Sequence, residues 1–339
     1  MIFPRSPFAV LLLCAAALAP TATFAAKSHP TRPATVSDTD AYKGAIIMDA
    51  TTGKVLFEDN ADLVNAPASM VKLMTFAVLH DKLASGALTL ATPVTVNRAE
   101  ARFALKKDST SVWLKEKEVF PVEELIYAMM IQSANDAALA LARVAGGTPE
   151  AFVTLMNAKA HELGMNHSVF CTPHGLITSS APSDARDLTT ARDYALLCRH
   201  LLLHTDVLKY SSVKDRAFGT GQRFPPTQMR NHNHLLGNIA GVDGLKTGYT
   251  IPAGFCLSTT VQRNGQRIII ITLGGTSSKS RDLKVAELIE RGFAAIPLGS
   301  PGFAAQPGPA PEPSPITAAP LPPTAASPDI KFTLPPAKK

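Results

Sequence analysis

Pro67-Ala68-Ser69-Met70-Val71-Lys72-Leu73-Met74-Thr75 contains a serine at the start of an apolar run and a lysine three residues later. Residues at i and i+3 lie on the same helical face, so Lys72 Nζ can reach Ser69 Oγ. A serine hydroxyl is a poor nucleophile unless a neighbouring base activates it. Lysine can be that base when burial and a nearby cation lower its pKa. The mostly apolar residues 73–79 predict a buried helix that ends near Ser85-Gly86.

The pattern Ser-x-x-Lys is short, and an ordinary helix start explains it more often than catalysis does. The chain holds a second copy, Ser211-Ser212-Val213-Lys214, but a polar, Arg/Gly/Pro-rich stretch follows it instead of a buried helix. Two further motifs favour the first copy. Ser133-Ala134-Asn135 lies between two apolar helical runs, although Ser and Asn are also ordinary helix caps. Lys246-Thr247-Gly248 precedes a strand-like run, and the three motifs together predict an active serine at Ser69.

Two β-hairpins are predicted, one near each end of the folded region. Residues 44–49 and 55–58 flank a turn that contains a glycine, and residues 254–261 and 267–273 flank Asn264-Gly265. The run of four isoleucines in the last strand indicates a strand covered on both faces. Helices are predicted over residues 121–130, 137–144, 149–163, 191–204 and 282–293. Strands at both ends with helices between them predict one antiparallel sheet in an α+β domain of about 255 residues.

Two side-chain placements follow from the same patterns. The closing helix is expected to turn Leu283, Ala286, Leu288 and Ile289 towards the sheet. Trp113, the only tryptophan, is expected in the core because an indole buries a large area. The alternative is that Trp113 lines a substrate groove.

The termini differ in composition from the central region. Residues 1–25 are predicted to be a secretory signal, with Arg5 before an apolar run and cleavage after Ala25; the alternative is an uncleaved anchor. Residues 26–40 are expected to be disordered, and residues 41–296 are expected to form the catalytic domain. The Pro/Ala-rich tail, residues 297–339, cannot bury a core and is also expected to be disordered.

Cysteine content and charge exclude other classes of protein. Removal of the signal leaves Cys171, Cys198 and Cys256, so at least one thiol stays unpaired and one disulfide, not assignable, is allowed. Their wide spacing lacks a metal-ligand pattern, and Cys198 and Cys256 fit as small buried residues. The net charge of +6 is scattered, without the basic stripe of a nucleic-acid-binding protein.

On these motifs, residues 40–296 resemble the low-molecular-mass penicillin-binding proteins, which are serine-type D-Ala-D-Ala carboxypeptidases of the peptidase S11 type. The resemblance also includes His174-Gly175-Leu176 and Val242-Asp243-Gly244-Leu245 before Lys246-Thr247-Gly248. It implies a β-lactamase/transpeptidase-like α+β fold, in which helices flank an antiparallel sheet and the active serine lies beside an all-helical subdomain. The chain departs from the commoner Ser-Gly-Asn or Ser-Ser-Asn motif. A Pro-rich tail also follows where larger members have a β-rich domain and an amphipathic anchor, so membrane association is expected to be weak or absent.

The resemblance implies a role for each motif residue. The catalytic group is Ser69, Lys72 and Ser133, and the substrate-binding group is Asn135, Lys246, Thr247, Gly248 and Tyr249. Ser69 would attack the penultimate D-Ala carbonyl of a peptidoglycan stem pentapeptide, and Ser133 would relay a proton within reach of both lysines. No metal or cofactor is required, and β-lactams are expected to acylate Ser69. The protein would work outside the cytoplasm, in the periplasm or cell envelope.

Three other functions stay open. A DD-endopeptidase that cuts peptidoglycan cross-links would use the same catalytic groups, and only the space beyond the scissile bond distinguishes it. A β-lactamase is disfavoured because Glu162, in Glu162-Leu163-Gly164-Met165-Asn166, is interpreted as a helix terminus rather than a deacylating base. A non-catalytic module that binds β-lactams or peptidoglycan is the third.

Overall fold

The computed structural model describes residues 41–107, 109–176 and 186–304. The predicted signal, the segment 26–40 and most of the Pro-rich tail lie outside these ranges. The strands are β1 (Gly44–Asp49), β2 (Val55–Asp59), β3 (Pro93–Thr95), β4 (Val119–Pro121), β5 (Asp215–Phe218), β6 (Thr227–Arg230), β7 (Val242–Thr250), β8 (Gly254–Arg263) and β9 (Gln266–Gly275). The helices are α1 (Val71–Ala84), α2 (Arg98–Ala104), α3 (Val122–Ile131), α4 (Asn135–Gly146), α5 (Pro149–Glu162), α6 (Ala191–His204), α7 (Val207–Ser211) and α8 (Ser278–Ala294).

A five-stranded antiparallel sheet, in the order β2-β1-β9-β8-β7, joins the two ends of the described chain. Ile46 of β1 lies opposite Ile271 of β9, so strands far apart in sequence pair at the centre of the sheet. Asn264 and Gly265 turn the β8–β9 hairpin with φ angles of 49° and 76°, as a two-residue turn requires. The predicted α+β fold built on an antiparallel sheet is confirmed, but the sheet is not single: β3 with β4 and β5 with β6 form two further two-stranded sheets.

Both faces of β9 are covered, as the isoleucine run predicted. Ile269 and Ile271 belong to the larger apolar cluster, which contains the helices around α1. Ile268 and Ile270 point to the opposite face and pack with Val285 and other residues of α8. The sheet therefore lies between α8 on one side and the helical body on the other.

Helix α8 begins at Ser278, four residues before the predicted start, because the Ser277 side chain accepts a hydrogen bond from the Ser280 N–H and caps the helix. Leu288 and Ile289 face the sheet as expected. Leu283 does not, since 46 % of it is exposed, and the expectation for this residue was wrong. Val285 faces the sheet instead, because it lies three residues before Leu288 and four before Ile289 and therefore on the same side of the helix.

Helix α1 runs through the centre of the helical body. All nine residues 71–79 are buried, so this helix is covered on every side. The helices α4, α5 and α6 pack around it. No helix within the described ranges has the length and apolar character needed to cross a membrane.

The tryptophan does not lie in the core, so the preferred expectation for it was wrong. Trp113 is 53 % exposed, whereas its neighbours Val112 and Leu114 are buried. The backbone of Trp113 has a φ of 53°, which turns the indole outwards while both neighbours stay in the core. The local turn, and not the hydrophobicity of the residue, sets its exposure.

No disulfide joins the three cysteines in the described part of the chain. Cys198 and Cys256 are buried, as expected for small apolar residues. Burial raises the pKa of the Cys198 thiol to about 12 and that of the Cys256 thiol to about 11. Both thiols are therefore protonated and unreactive near neutral pH.

Candidate active site

The turn that carries Ser69 is a short 3-10 helix, Ala68–Met70, directly before α1. Ala68 has a φ of 49°, a strained conformation for a residue with a side chain. Two glycines let other elements approach this turn closely. A Cβ at Gly248 would lie 2.3 Å from Pro67 O, and one at Gly175 would lie 2.0 Å from Ala68 O. The glycines of two of the sequence motifs therefore hold the nucleophile turn against β7 and the 171–176 loop.

Lys72 is fully buried and its amine has three neighbours. Nζ lies 3.1 Å from Ser69 Oγ, donates to Asn135 Oδ1 at 2.6 Å and donates to the His174 carbonyl at 2.8 Å. A neutral amine has two N–H groups and one lone pair, whereas an ammonium has three N–H groups and no acceptor. Asn135 and His174 take the two donors, so the lone pair of a neutral Lys72 is directed at the Ser69 hydroxyl.

The electrostatics of the site favour that neutral form. Burial lowers the pKa of Lys72 well below its ordinary value, and the neighbouring Lys246 lowers it further. The carboxyl groups of Asp136 and Asp187 act in the opposite direction, but burial is the largest cause. Burial and Lys246 therefore favour the neutral amine, and its position suits a base for Ser69.

The loop that offers the His174 carbonyl is fixed from two directions. Buried Asp187 accepts hydrogen bonds from the Thr172 N–H at 3.0 Å and from Thr172 Oγ1 at 2.7 Å. Thr75 of α1 donates to the Pro173 carbonyl at 2.7 Å. Sequence reasoning missed Asp187 and Thr75, because neither lies in one of the three motifs.

The His174 side chain is buried and neutral. Its Nδ1 accepts the Leu176 N–H at 3.1 Å, and its ring contacts Phe103 at a centroid distance of 4.8 Å. Burial is the largest cause that lowers the pKa of His174, to about 3. This imidazole shapes the loop, while the backbone carbonyl of the same residue meets Lys72.

Ser133 and Asn135 lie where α3 gives way to α4. Asn135 is the first residue of α4, and its Nδ2 donates to Ser109 Oγ at 3.0 Å. Ser133 is buried, with a φ of 61°. Within the described ranges its side chain makes no hydrogen bond to Lys72 or Lys246, although the resemblance implied that it lies within reach of both. The structure therefore joins Ser69, Lys72 and Asn135 by direct contact and leaves Ser133 adjacent in the chain.

Asp136 is a further residue that the motifs did not single out for a role. Its buried carboxylate accepts the Leu114 N–H at 3.0 Å and the Val112 N–H at 3.3 Å. The Asn135 N–H also donates to the Thr110 carbonyl at 2.8 Å. The 109–114 loop is thus attached to the same turn that holds Lys72.

The third motif lies on β7, the strand at the edge of the sheet. Lys246 is buried, and Nζ donates to the Thr247 carbonyl at 3.0 Å. Burial, followed by the charge of Arg281, lowers the pKa of Lys246 to about 7. Arg281, in α8, was also missed by the sequence analysis. Beyond Lys246, Thr247 is buried and Tyr249 is 53 % exposed.

Two sequence patterns that were set aside lie elsewhere. Glu162 is the last residue of α5 and pairs with Lys159 at 2.9 Å, which agrees with its interpretation as a helix terminus. Ser211 ends the five-residue α7, and no hydrogen bond joins it to Lys214 among the described residues. In the same ranges, no group of three or more His, Cys, Asp or Glu side chains is arranged to hold a metal ion.

Comparison with known proteins gives a consistent result. The family described as D-alanyl-D-alanine carboxypeptidase, peptidase S11, matches residues 29–277. The D-alanyl-D-alanine carboxypeptidase DacF of Bacillus subtilis (strain 168) is 30 % identical over 74 % of this chain and 62 % of its own length. The D-alanyl-D-alanine carboxypeptidase DacA of Escherichia coli (strain K12) is 35 % identical over 76 % of this chain and 61 % of its own. The chain thus spans about three fifths of the length of these relatives.

A shorter relative is covered more completely. The D-alanyl-D-alanine endopeptidase of Pseudomonas aeruginosa (strain PAO1) is 32 % identical over 77 % of this chain and 82 % of its own.

Solved structures agree with the fold. The carboxypeptidase DacD from Francisella tularensis has a TM-score of 0.69 at 29 % identity, over 77 % of this chain and 71 % of its own. Penicillin-binding protein D2 from Listeria monocytogenes, in its ampicillin-bound form, has a TM-score of 0.65 at 30 % identity, over 75 % of this chain and 97 % of its own.

Proposed function

The chain belongs to the peptidase S11 family of D-alanyl-D-alanine carboxypeptidases, and we propose that it is a serine-type D-Ala-D-Ala carboxypeptidase acting on peptidoglycan stem pentapeptides. The observation that carries this proposal is the environment of Lys72. The amine is buried, its two donors are occupied by Asn135 and the His174 carbonyl, and its third direction faces Ser69 Oγ. That arrangement suits a neutral lysine that accepts the serine proton.

In the proposed acylation step, Ser69 Oγ attacks the carbonyl carbon of the penultimate D-Ala while its proton moves to Lys72. The backbone N–H groups of Ser69 and Tyr249 stabilise the oxyanion, and one such donor is worth roughly 3–4 kcal/mol in related chemistry. The C–N bond to the terminal D-Ala then breaks. Its amine leaves with a proton that Lys72 returns, through Ser133 in our proposal. Water hydrolyses the resulting ester, which releases the shortened stem and regenerates Ser69.

Recognition of the substrate is assigned to β7 and to Asn135. Lys246 and Thr247 would bind the terminal carboxylate, and Gly248 would let the peptide lie close to the edge of β7. Asn135 was expected to bind the substrate backbone. Its Oδ1 accepts from Lys72 and one N–H of its Nδ2 donates to Ser109, so the second N–H of Nδ2 would serve the substrate.

The partners and the location follow from the reaction. Peptidoglycan lies outside the cytoplasmic membrane, so we propose that the protein is exported, with its signal removed near Ala25. β-Lactams are proposed to acylate Ser69, since the ampicillin-bound Listeria protein is a relative of the same fold. A weak or absent membrane association is proposed as well.

A DD-endopeptidase is the second candidate function. The chain covers 82 % of the Pseudomonas endopeptidase but about three fifths of the two carboxypeptidases. In this alternative Ser69 and Lys72 keep their roles, and the leaving amine belongs to the cross-linked neighbouring stem instead of a free D-Ala.

The test is a muropeptide digest with the purified full chain. Pentapeptide monomers and cross-linked dimers are incubated together and followed by liquid chromatography with mass spectrometry. Loss of one alanine mass from the monomers is the result expected for the carboxypeptidase, whereas conversion of dimers to monomers would transfer the proposal to the endopeptidase. Absence of both reactions with folded protein would leave a binding module.

Ser69→Ala is the matched control. It removes the attacking oxygen and nothing else, so both turnover and covalent labelling by penicillin should disappear. A penicillin adduct that survives this substitution would contradict the assignment of the nucleophile.

A further inference from the structure

Trp113 is exposed on a loop beside the candidate active site, and hydrogen bonds fix the backbone of that loop. It is 53 % exposed, although Val112 and Leu114 on either side are buried. Its φ of 53° lies in the left-handed region, which is costly for an aromatic residue. A strained backbone that turns a large apolar side chain towards water requires specific support.

That support comes from two buried or partly buried charges. Asp136 accepts the N–H groups of Val112 and Leu114, one residue before and one after the tryptophan. From the other side, Arg223 donates to the Val112 carbonyl at 2.6 Å and to the Trp113 carbonyl at 3.1 Å. The backbone around the indole is therefore held at four polar atoms.

Related contacts place the loop that carries Trp113 beside the candidate site. Asp136 follows Asn135, which binds Lys72, and the Asn135 N–H binds the Thr110 carbonyl of the tryptophan loop. Phe224, which follows Arg223, is 88 % exposed. Two exposed aromatic residues thus lie on either side of one arginine, beside the turn that carries Asn135.

We propose that Trp113, with Phe224 near it, is a platform on which an amino-sugar ring of the peptidoglycan glycan strand stacks. This rests on the proposed function, in which the stem peptide at Ser69 is attached to such a sugar polymer. A pyranose ring has an apolar C–H face bordered by hydroxyl and amide groups. The indole offers a flat apolar face and one N–H donor, so it matches both parts of the ring. Occupancy by the stem peptide itself is the competing arrangement.

The first experiment uses Trp113 as its own reporter, because it is the only tryptophan in the chain. The full chain with Ser69→Ala is titrated with a peptide-free oligomer of four N-acetylglucosamine units while tryptophan emission is recorded. We expect a saturable change in emission intensity or wavelength. The affinity for the sugar should be at least fivefold weaker in the Phe224→Ala variant. No change up to millimolar sugar would overturn the proposal.

The second experiment measures selectivity. The ratio of kcat/KM for disaccharide-linked pentapeptide to that for free pentapeptide is compared between the wild type and Trp113→Ala. We expect the ratio to fall about tenfold, and Trp113→Phe to restore most of it. The matched control is Leu283→Ala, which truncates an exposed residue on α8.

An unchanged ratio in Trp113→Ala would overturn the proposal, and so would an equal loss on both substrates, which would indicate peptide contact or a displaced loop. If the wild type cleaves neither substrate, the proposed function fails. The fluorescence titration then still decides whether the platform binds sugar.

Discussion

The two lysines of the candidate site are alike in burial and different in their partners. Lys72 is surrounded by Ser69 Oγ, Asn135 Oδ1 and the His174 carbonyl. Lys246 donates to one acceptor among the described residues, the carbonyl of its own neighbour Thr247. Burial lowers the pKa of both. Lys72 is therefore held in one orientation, whereas Lys246 keeps donors available for a ligand.

In the proposed mechanism, this difference in partners lets one residue type perform two tasks. A base needs a fixed lone pair and no charge, which the environment of Lys72 provides. A binding group for a carboxylate needs a charge and unused N–H donors, which an ammonium on Lys246 provides. The charge of Lys246 also lowers the pKa of Lys72, after burial, so a protonated Lys246 favours a neutral Lys72.

Removal of the proposed base should have the largest effect. In Lys72→Met the side chain keeps its length and loses the lone pair, so acylation of Ser69 should slow by about 10²- to 10⁴-fold. The measurement is the rate of labelling by a fluorescent penicillin, with thermal melting as the check on folding. A labelling rate within tenfold of the wild-type rate would contradict the role of Lys72 as the base for Ser69.

Removal of the proposed carboxylate-binding group should have a smaller and selective effect. In Lys246→Met, kcat/KM for a pentapeptide with a free terminal carboxylate should fall about 10- to 100-fold, since a charge-assisted hydrogen bond to a carboxylate is lost. The same peptide with an amidated terminus should lose much less. An equal loss on both peptides, measured by release of the terminal residue, would contradict this role for Lys246.

The pH dependence of kcat/KM should show the smallest effect that distinguishes the two lysines. With a pKa of about 7, Lys246 loses its charge as the pH rises through neutrality. Because kcat/KM follows the free enzyme, it should fall by up to tenfold per pH unit above that value for the free-carboxylate peptide. The amidated peptide should show no such fall.

Lys246→Arg is the control for this profile. An arginine stays charged at these pH values, so its profile should lack the falling limb. A falling limb that persists in Lys246→Arg would assign the titration to another group.

Much of the fold was predictable because its signals are local. The β8–β9 hairpin follows from Asn264-Gly265 between two apolar runs, and the burial of α1 follows from its nearly continuous apolar residues. Trp113 was misplaced because its exposure depends on a left-handed turn. Leu283 was misplaced because it lies off the face that Val285, Leu288 and Ile289 form on α8. A positive φ cannot be read from hydrophobicity, whereas the spacing of Val285, Leu288 and Ile289 was available in the sequence.

The same distinction between local and long-range contacts applies to the candidate site. Ser69 and Lys72 were predicted to meet because they are three residues apart on one helix, and they do lie in contact. Asp136, Asp187 and Arg281 were missed since they act through contacts with distant segments, such as the hydrogen bonds from Asp136 to the 109–114 loop. The short motifs contain the proposed reacting groups and not the residues that position them.

The pairing of β1 with β9 also constrains when the protein can fold during its synthesis. Ile46 and Ile271 are neighbours in the sheet, so the central strand pair cannot form until nearly the whole described chain has been synthesised. Contacts between such distant residues slow folding, because a long loop has to close before they stabilise anything. Ser69 is made early and Lys246 late. The growing chain therefore contains Ser69 long before it contains β7, and the candidate site cannot be complete until that strand has been made.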